Sequence, residues 1–192
     1  MFKQQLNQLA NTFLEKNSQI NLSAIRDLEW IKIKHINDSL ELNKILKIPE
    51  GAKVLDIWTW WGFPLLPLAI TNPKADFTWI DSRRKKIQAI QEMINNLWLR
   101  NIRLVRWRIE EHKGNYDIIT ARAVSYIDNL LKRTKHLIKK WGILAFYKQY
   151  SPQEYKDMEK LLPRYKLKLL KIHHYKFFND DIERIIYLLQ KK

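Results

Sequence analysis

The chain has 192 residues, a formal net charge of +15 from 35 Lys and Arg against 20 Asp and Glu, and no cysteine. Its length accommodates one compact domain with a substantial core, and a hydrophobic fraction of 46% excludes a disordered composition. The missing cysteines exclude disulfides, thiolate zinc sites and cysteine nucleophiles.

No run reaches the ~18–20 apolar residues of a membrane span. The opening Met1-Phe2-Lys3-Gln4-Gln5 lacks the apolar stretch of a secretory signal, so a cytoplasmic protein with no membrane association is expected. Phe2, Leu6, Leu9 and Phe13 recur at 4-3-4 spacing, which predicts an amphipathic helix. A loop over 17–26 leads to Asp27, a candidate N-cap for a second helix that turns Ile33, Ile36 and Leu40 inward. Pro49-Glu50-Gly51 closes this preface, so the single domain divides into a helical extension over 1–50 and a core over 51–192.

From Lys53 the pattern changes. Lys53–Ile57 reads as a buried parallel strand, followed by a turn and a helix over 63–71. Residues 77–80 predict a second strand. Asp81-Ser82 then opens a helix with Ile87, Ile90, Ile94 and Leu97 on one face. Strands follow over 102–105 and 116–121, then a helix over 127–138 and a strand over 143–147. After Pro152 come one more helix and two strands, 166–174 and 184–189, expected to form a closing antiparallel pair. Alternating strands and helices after a helical preface imply an α/β fold with a mostly parallel sheet covered on both faces.

Ligands of such sheets bind beyond the carboxyl ends of the strands, near the point where the strand order reverses. That directs attention to the first strand's exit, Val54-Leu55-Asp56-Ile57-Trp58-Thr59-Trp60-Trp61-Gly62-Phe63-Pro64. This is a strand–loop–helix layout in which a cofactor must approach the backbone. Asp81 ends the next strand, where an acidic residue suits hydrogen bonds to ribose hydroxyls; a helix cap is the plainer role for it. The basic balance favours a polyanionic partner, although a lysine-rich proteome gives the same composition. His173-His174 stand in a strand without a ligand pattern.

An ordered set of motifs is more specific: Asn21-Leu22-Ser23-Ala24-Ile25, Lys34-His35 with Asp38-Ser39-Leu40, the 55–70 segment, Asp81-Ser82 with Lys85-Lys86, Arg108-Ile109-Glu110-Glu111, and Thr120-Ala121-Arg122-Ala123-Val124. Over residues 21 to 125 the chain resembles the RsmG (GidB) family of small-subunit ribosomal RNA guanine-N7 methyltransferases. The resemblance implies a Rossmann-like class I fold that binds S-adenosylmethionine (SAM). It implies methyl transfer to N7 of a guanosine in 16S rRNA, with free 16S rRNA or a small-subunit precursor as partner, by a metal-free monomer. Trp58, Phe63, Asp81, Ile109, Glu110 and Arg122 would line the cofactor site, and Arg122 would position the cofactor or the base. Asn21, His35 and the run Arg83-Arg84-Lys85-Lys86 would meet RNA, as would Arg100, Arg103, Arg106 and Arg108. A solvated face is the plain reading of each cation, and bracing of the cofactor loop is the other role open to Asn21 and His35. Guanine N7 has an in-plane lone pair and no proton to lose, so no catalytic base is required.

The departure lies in the loop. The family pattern after Leu-Asp-Ile is Gly-x-Gly-x-Gly-Phe-Pro, but Trp58 and Trp60 stand at its first two glycines and only Gly62 remains. An indole there would fill the cofactor's space, where glycine serves because it has no Cβ. Trp98 follows a helix end where a left-handed glycine is usual, and Trp107 and Trp141 also stand at family glycine positions. The eight tryptophans are therefore expected to be glycines specified by a reassigned UGA codon. If they are genuine, a non-catalytic RNA-binding or ribosome-assembly protein is the alternative. A nicotinamide-dependent oxidoreductase shares Asp81 and the loop layout, but not Asp56, Ile109-Glu110 or Arg122.

Overall fold

A computed structural model describes residues 2–57, 61–122, 125–177 and 181–192. Seven strands form one sheet: β1 (Lys53–Ile57), β2 (Asp76–Ile80), β3 (Ile102–Val105), β4 (Tyr116–Arg122), β5 (Ile138–Gln149), β6 (Leu167–Tyr175) and β7 (Arg184–Lys191). Their spatial order is β3-β2-β1-β4-β5-β7-β6. The first five are parallel, with Leu55 of β1 opposite Thr78 on one side and Ile119 on the other. β7 runs antiparallel to both β5 and β6. The sequence therefore anticipates the α/β class, the parallel centre and the antiparallel closure. β1 and β2 lead outward to one edge and β4 begins the other half, so the order reverses between β1 and β4, where such sheets bind ligands.

The central strands read as apolar runs because both faces are covered. On one face lie α1 (Phe2–Ile20), α4 (Leu65–Thr71) and α5 (Arg84–Asn96), joined through Leu9, Phe13, Leu66, Phe77, Ile90 and Met93. On the other lie α6 (Ile127–Thr134) and α7 (Pro152–Arg164), packed through Ile119, Leu130, Phe146, Met158 and Tyr187. Each fully buried side chain of this size contributes roughly 1.5–3 kcal/mol.

Three boundaries differ from expectation. α1 continues to Ile20, past the loop predicted from residue 17. The Asn17 side chain turns inward instead, donating to the Ile25 carbonyl at 2.7 Å and accepting from the Ser23 amide at 2.7 Å. α6 stops at Thr134, whose hydroxyl bonds back to the Leu130 carbonyl, so Ile138 already belongs to β5. β5 is long because a register shift separates Tyr116↔Ile138 from Ile118↔Ile143. The second predicted helix is a continuous run of changing winding: α2 (Leu28–Ile31), a π turn (Lys32–Asn37), α3 (Asp38–Leu40) and a 3-10 turn (Glu41–Lys44). Asp27 caps it, accepting the Trp30 amide at 2.9 Å. The π turn, a winding that recurs at functional sites, carries His35 and Ile36 inward.

Candidate active site

The carboxyl end of β1 is held by a buried polar pair, Thr120 Oγ1 donating to Asp56 Oδ1 at 2.7 Å across to β4. The chain leaves the loop through Trp61, at φ 52°, and Gly62, at φ 94°. Glycine is required at 62 for space as well as conformation, since a Cβ there would approach Leu66 Cδ1 to 2.6 Å and Ile90 Cδ1 to 3.2 Å.

Beside this exit a cavity of about 500 Å³ is lined by Ile57, Ile80, Asp81, Ile109, Glu110 and Arg133, among others. Asp81 is buried. Its Oδ1 accepts the Arg83 amide at 2.9 Å, and its Oδ2 lies 3.1 Å from Lys86 Nζ. Burial pushes its carboxyl up, but the Arg83 amide and guanidinium, with Lys86, outweigh this and hold it below the usual value. Burial lowers the Lys86 ammonium, with Asp81 opposing. Apolar walls from three isoleucines and an ionised carboxylate at the end of β2 fit an adenosine: a flat base between aliphatic side chains and ribose hydroxyls on the acid. Asp81 also bonds the amide that enters α5, so capping and ligand binding share one carboxylate. Glu110 meets Arg133 at 2.8 Å in an exposed pair, worth little by itself.

On the other side of the reversal point a cleft of about 740 Å³ is lined by Arg122, Tyr126, Tyr147, Lys148, Tyr150 and Glu154, with Asp38, Tyr175 and Arg184 at its base. Asp38 organises that base. Arg122 Nε lies 2.6 Å from its Oδ2, while its Oδ1 accepts Tyr175 Oη at 2.9 Å and lies 3.5 Å from Arg184 Nε. Arg122 Nη2 donates to the Lys34 carbonyl. Arg122 Nη1 is buried with no hydrogen-bond partner among the described residues, a donor awaiting an acceptor. Burial, reinforced by Asp38, pushes the Tyr175 hydroxyl far above its usual range, so it stays a donor. Across the cleft Glu154 Oε1 accepts Lys148 Nζ at 2.8 Å and the Ile127 amide at 3.0 Å.

The expected site residues separate accordingly. Asp81, Ile109 and Glu110 come together around one cavity, and Arg122 lines the other. Trp58 lies outside the described residues. Phe63 does not line either space: it is fully buried, its ring stacked on His35 with centroids 5.0 Å apart and edge-on to Phe13 at 5.0 Å. Its ring joins α1, through Phe13, to the π turn, through His35. His35 is buried in the same cluster, 3.2 Å from Ser23 Oγ through Nε2, a bracing position and not one facing RNA. Burial first, and then the Arg122 charge, lowers its pKa to about 3, so it is neutral. Lys86 likewise turns inward to Asp81, which removes it from the expected RNA-facing run, whereas Arg83, Arg84 and Lys85 are exposed. Asn21 is exposed and accepts Arg26 Nη2 at 2.6 Å; Arg100, Arg103, Arg106 and Arg108 are also exposed.

Sequence reasoning missed Tyr147, Lys148, Glu154, Tyr175 and Arg184. Glu154 carried one signal: Ser151 and Glu154 have capping-box spacing, and Ser151 does accept the Glu154 amide at 3.3 Å. The acid reaches Lys148 and Ile127 as well. The others come from the ends of distant strands and share no local pattern.

Solved structures with similar folds include methyltransferases. A SAM-dependent methyltransferase from Aquifex aeolicus superposes with a TM-score of 0.64 at 17% identity, over 83% of this chain and 92% of its own. The TYW2 protein of P. horikoshii, solved with MeSAdo, gives 0.65 at 15% over 81% and 62%. These likenesses show the fold. Among sequence relatives, ribosomal RNA small subunit methyltransferase G of Psychromonas ingrahamii is 35% identical over 82% of this chain and 76% of its own length. The protein of the same name from Desulforamulus reducens is 36% identical over 92% and 77%. The family described as rRNA small subunit methyltransferase G (GidB) matches residues 2–184. With that match over nearly the whole chain and relatives of this identity, the chain belongs to that family.

Proposed function

We propose that the protein transfers a methyl group from SAM to N7 of a guanine in 16S ribosomal RNA, presented free or in a small-subunit precursor. The observation that carries this reading is the pair of cavities flanking the carboxyl end of β1. One is lined by apolar walls and an ionised Asp81, and the other by a buried, unpartnered arginine donor. The first takes the cofactor's adenosine and the second takes the acceptor base.

Bound SAM supplies an electrophilic methyl group. The residues of this chain position and stabilise. Asp38 and the Lys34 carbonyl fix the Arg122 guanidinium, leaving Nη1 to bind an oxygen of the incoming nucleotide. Such fixation suits a reaction whose acceleration comes from alignment at near-attack distance. Positive charge passes to the purine as N7 is alkylated, and the buried Asp56 and Asp38 carboxylates favour that charge in a site of low dielectric. The base must leave its stack to enter the cleft, as proteins that read RNA bases generally require. The exposed rings of Tyr126 and Tyr150 at the rim offer it stacking surfaces.

The test is incubation with labelled SAM and small ribosomal subunits, or naked 16S rRNA, from cells lacking this modification, followed by mapping of N7-methylguanine. Label at one guanine N7 is expected. Label at a pyrimidine or at a base amino group would overturn the assignment of the acceptor atom, and SAM binding without transfer to either substrate would overturn the assignment of the RNA.

A further inference from the structure

Trp61, Trp98 and Trp141 have φ of 52°, 55° and 65°, a region in which a bulky L-residue is an outlier. They are half of the six tryptophans among the described residues. Every other described non-glycine residue together supplies only Asn21, Ser125 and Lys166. An association this strong with the largest side chain runs against sterics.

The backbone around Trp98 demands the conformation, and the other two sit at turns or irregularities of the chain. Trp98 is the C′ residue of α5: its amide bonds the Asn95 carbonyl at 3.1 Å, and the Leu99 amide bonds the Ile94 carbonyl at 3.2 Å. That is the Schellman pattern, which glycine usually terminates. Trp61 directly precedes Gly62, itself at φ 94°. Trp141 precedes Gly142 where β5 shifts register against β4. Trp61 is partly buried against the core, but packing does not compensate at the other two, since Trp98 is 81% exposed and Trp141 61%, although an indole has more than most side chains to gain from burial. Trp107 is also exposed, and the buried Trp79 has an indole N–H with no hydrogen-bond partner among the described residues.

We propose that the tryptophans of this sequence are glycines in the protein made by its source cell, each specified by a UGA codon that the cell reads as glycine. A codon is read one way throughout, so the inference from positions 61, 98 and 141 extends to all eight, including Trp58 and Trp60. Four glycines then become twelve, about 6% of the chain and close to the average usage of about 7%. The segment from 58 to 62 becomes glycine at every position but Thr59.

Peptide mass spectrometry of protein isolated from the source cells is the direct test. Glycine at 61, 98 and 141 is expected, and tryptophan there would overturn the proposal. A second test uses recombinant chains carrying Trp98→Gly and Trp141→Gly or, as controls, Trp98→Ala and Trp141→Ala. Alanine removes the indole but keeps the Cβ that disfavours positive φ. The glycine chain is expected to melt several degrees above the alanine chain, and equal melting points would overturn the backbone argument. SAM titration separates this proposal from the enzymatic reading. A folded all-glycine chain that fails to bind SAM would leave the codon assignment standing and remove the cofactor.

Discussion

Arg122 Nε stands 2.6 Å from Asp38 Oδ2, tying the carboxyl end of β4 to α3 of the helical preface. Asp38 also takes Tyr175 and Arg184, so one carboxylate joins the preface to β4, β6 and β7. Removing one member of a buried ionic cluster leaves uncompensated charge, at about 3–5 kcal/mol. Asp38→Ala should lose stability of that order in denaturant titrations. A loss below about 1 kcal/mol, the range of exposed pairs, would mean that water already screens the cluster.

Arg122→Lys keeps a cation but loses the planar fork that serves Asp38, the Lys34 carbonyl and the cleft together. Turnover on ribosomal substrate should fall at least tenfold while SAM affinity changes by less than about threefold, differences of roughly 1.4 and 0.6 kcal/mol. Equal losses in turnover and SAM affinity would place this arginine on the cofactor instead.

Asp81→Asn retains shape but removes the charged acceptor. Hydrogen bonds to charged groups contribute about 1.5–3 kcal/mol, so calorimetry should show SAM binding weakened by roughly ten- to a hundredfold. Unchanged affinity would reduce Asp81 to the cap of α5.

His35 provides a pH test. Burial and Arg122 put its folded pKa at about 3, whereas an unfolded imidazole protonates near 6.5. Between these values the unfolded chain binds the extra proton. The stability from neutral His35 is therefore complete above pH 6.5 and is lost as pH falls toward 3, by up to about 1.4 kcal/mol per unit. His35→Phe should show a shallower decline of unfolding free energy over that window, the carboxylates being common to both chains. Parallel curves would contradict a buried neutral imidazole.

Arg84 and Lys85 extend from the first turn of α5 into solvent, unlike their neighbour Lys86. Reversing both to Glu should raise KM for ribosomal substrate, lower the salt dependence of RNA binding, and leave the SAM dissociation constant unchanged. An unaltered salt dependence would assign them to a solvated face.

Much of this architecture is legible in the residues because the signals are local. β1 is a buried run, Asp81 follows the second strand, and the 4-3-4 spacing marks α1. That Asp81, Ile109 and Glu110 share one cavity could be read for the same reason, since each ends or follows a strand whose position the alternation fixes. The cleft around Arg122 was largely hidden. Tyr147, Tyr175 and Arg184 converge on Asp38 and Ser39 only through strand order, and strand order leaves no periodic trace. The reading of Phe63 as a cavity residue failed because motif position fixes the backbone, whereas the ring turned toward Phe13 and His35 in a cluster assembled from three separate segments. Lys86 turned inward for a related reason: one turn of helix carries both faces, and Asp81 captured the side chain nearest to it.

The place of β7 between β5 and β6 bears on the order in which the molecule is made. A ribosome releases 167–175 before 184–191, so the outermost strand emerges while the strand that must join it to the sheet is still inside the exit tunnel. Until then the edge of β5 is open, and Arg184, which sits on Asp38, is missing from the cleft beside Arg122. The nascent protein can assemble the cavity beside Asp81 before Arg184 arrives to complete the cleft beside Arg122.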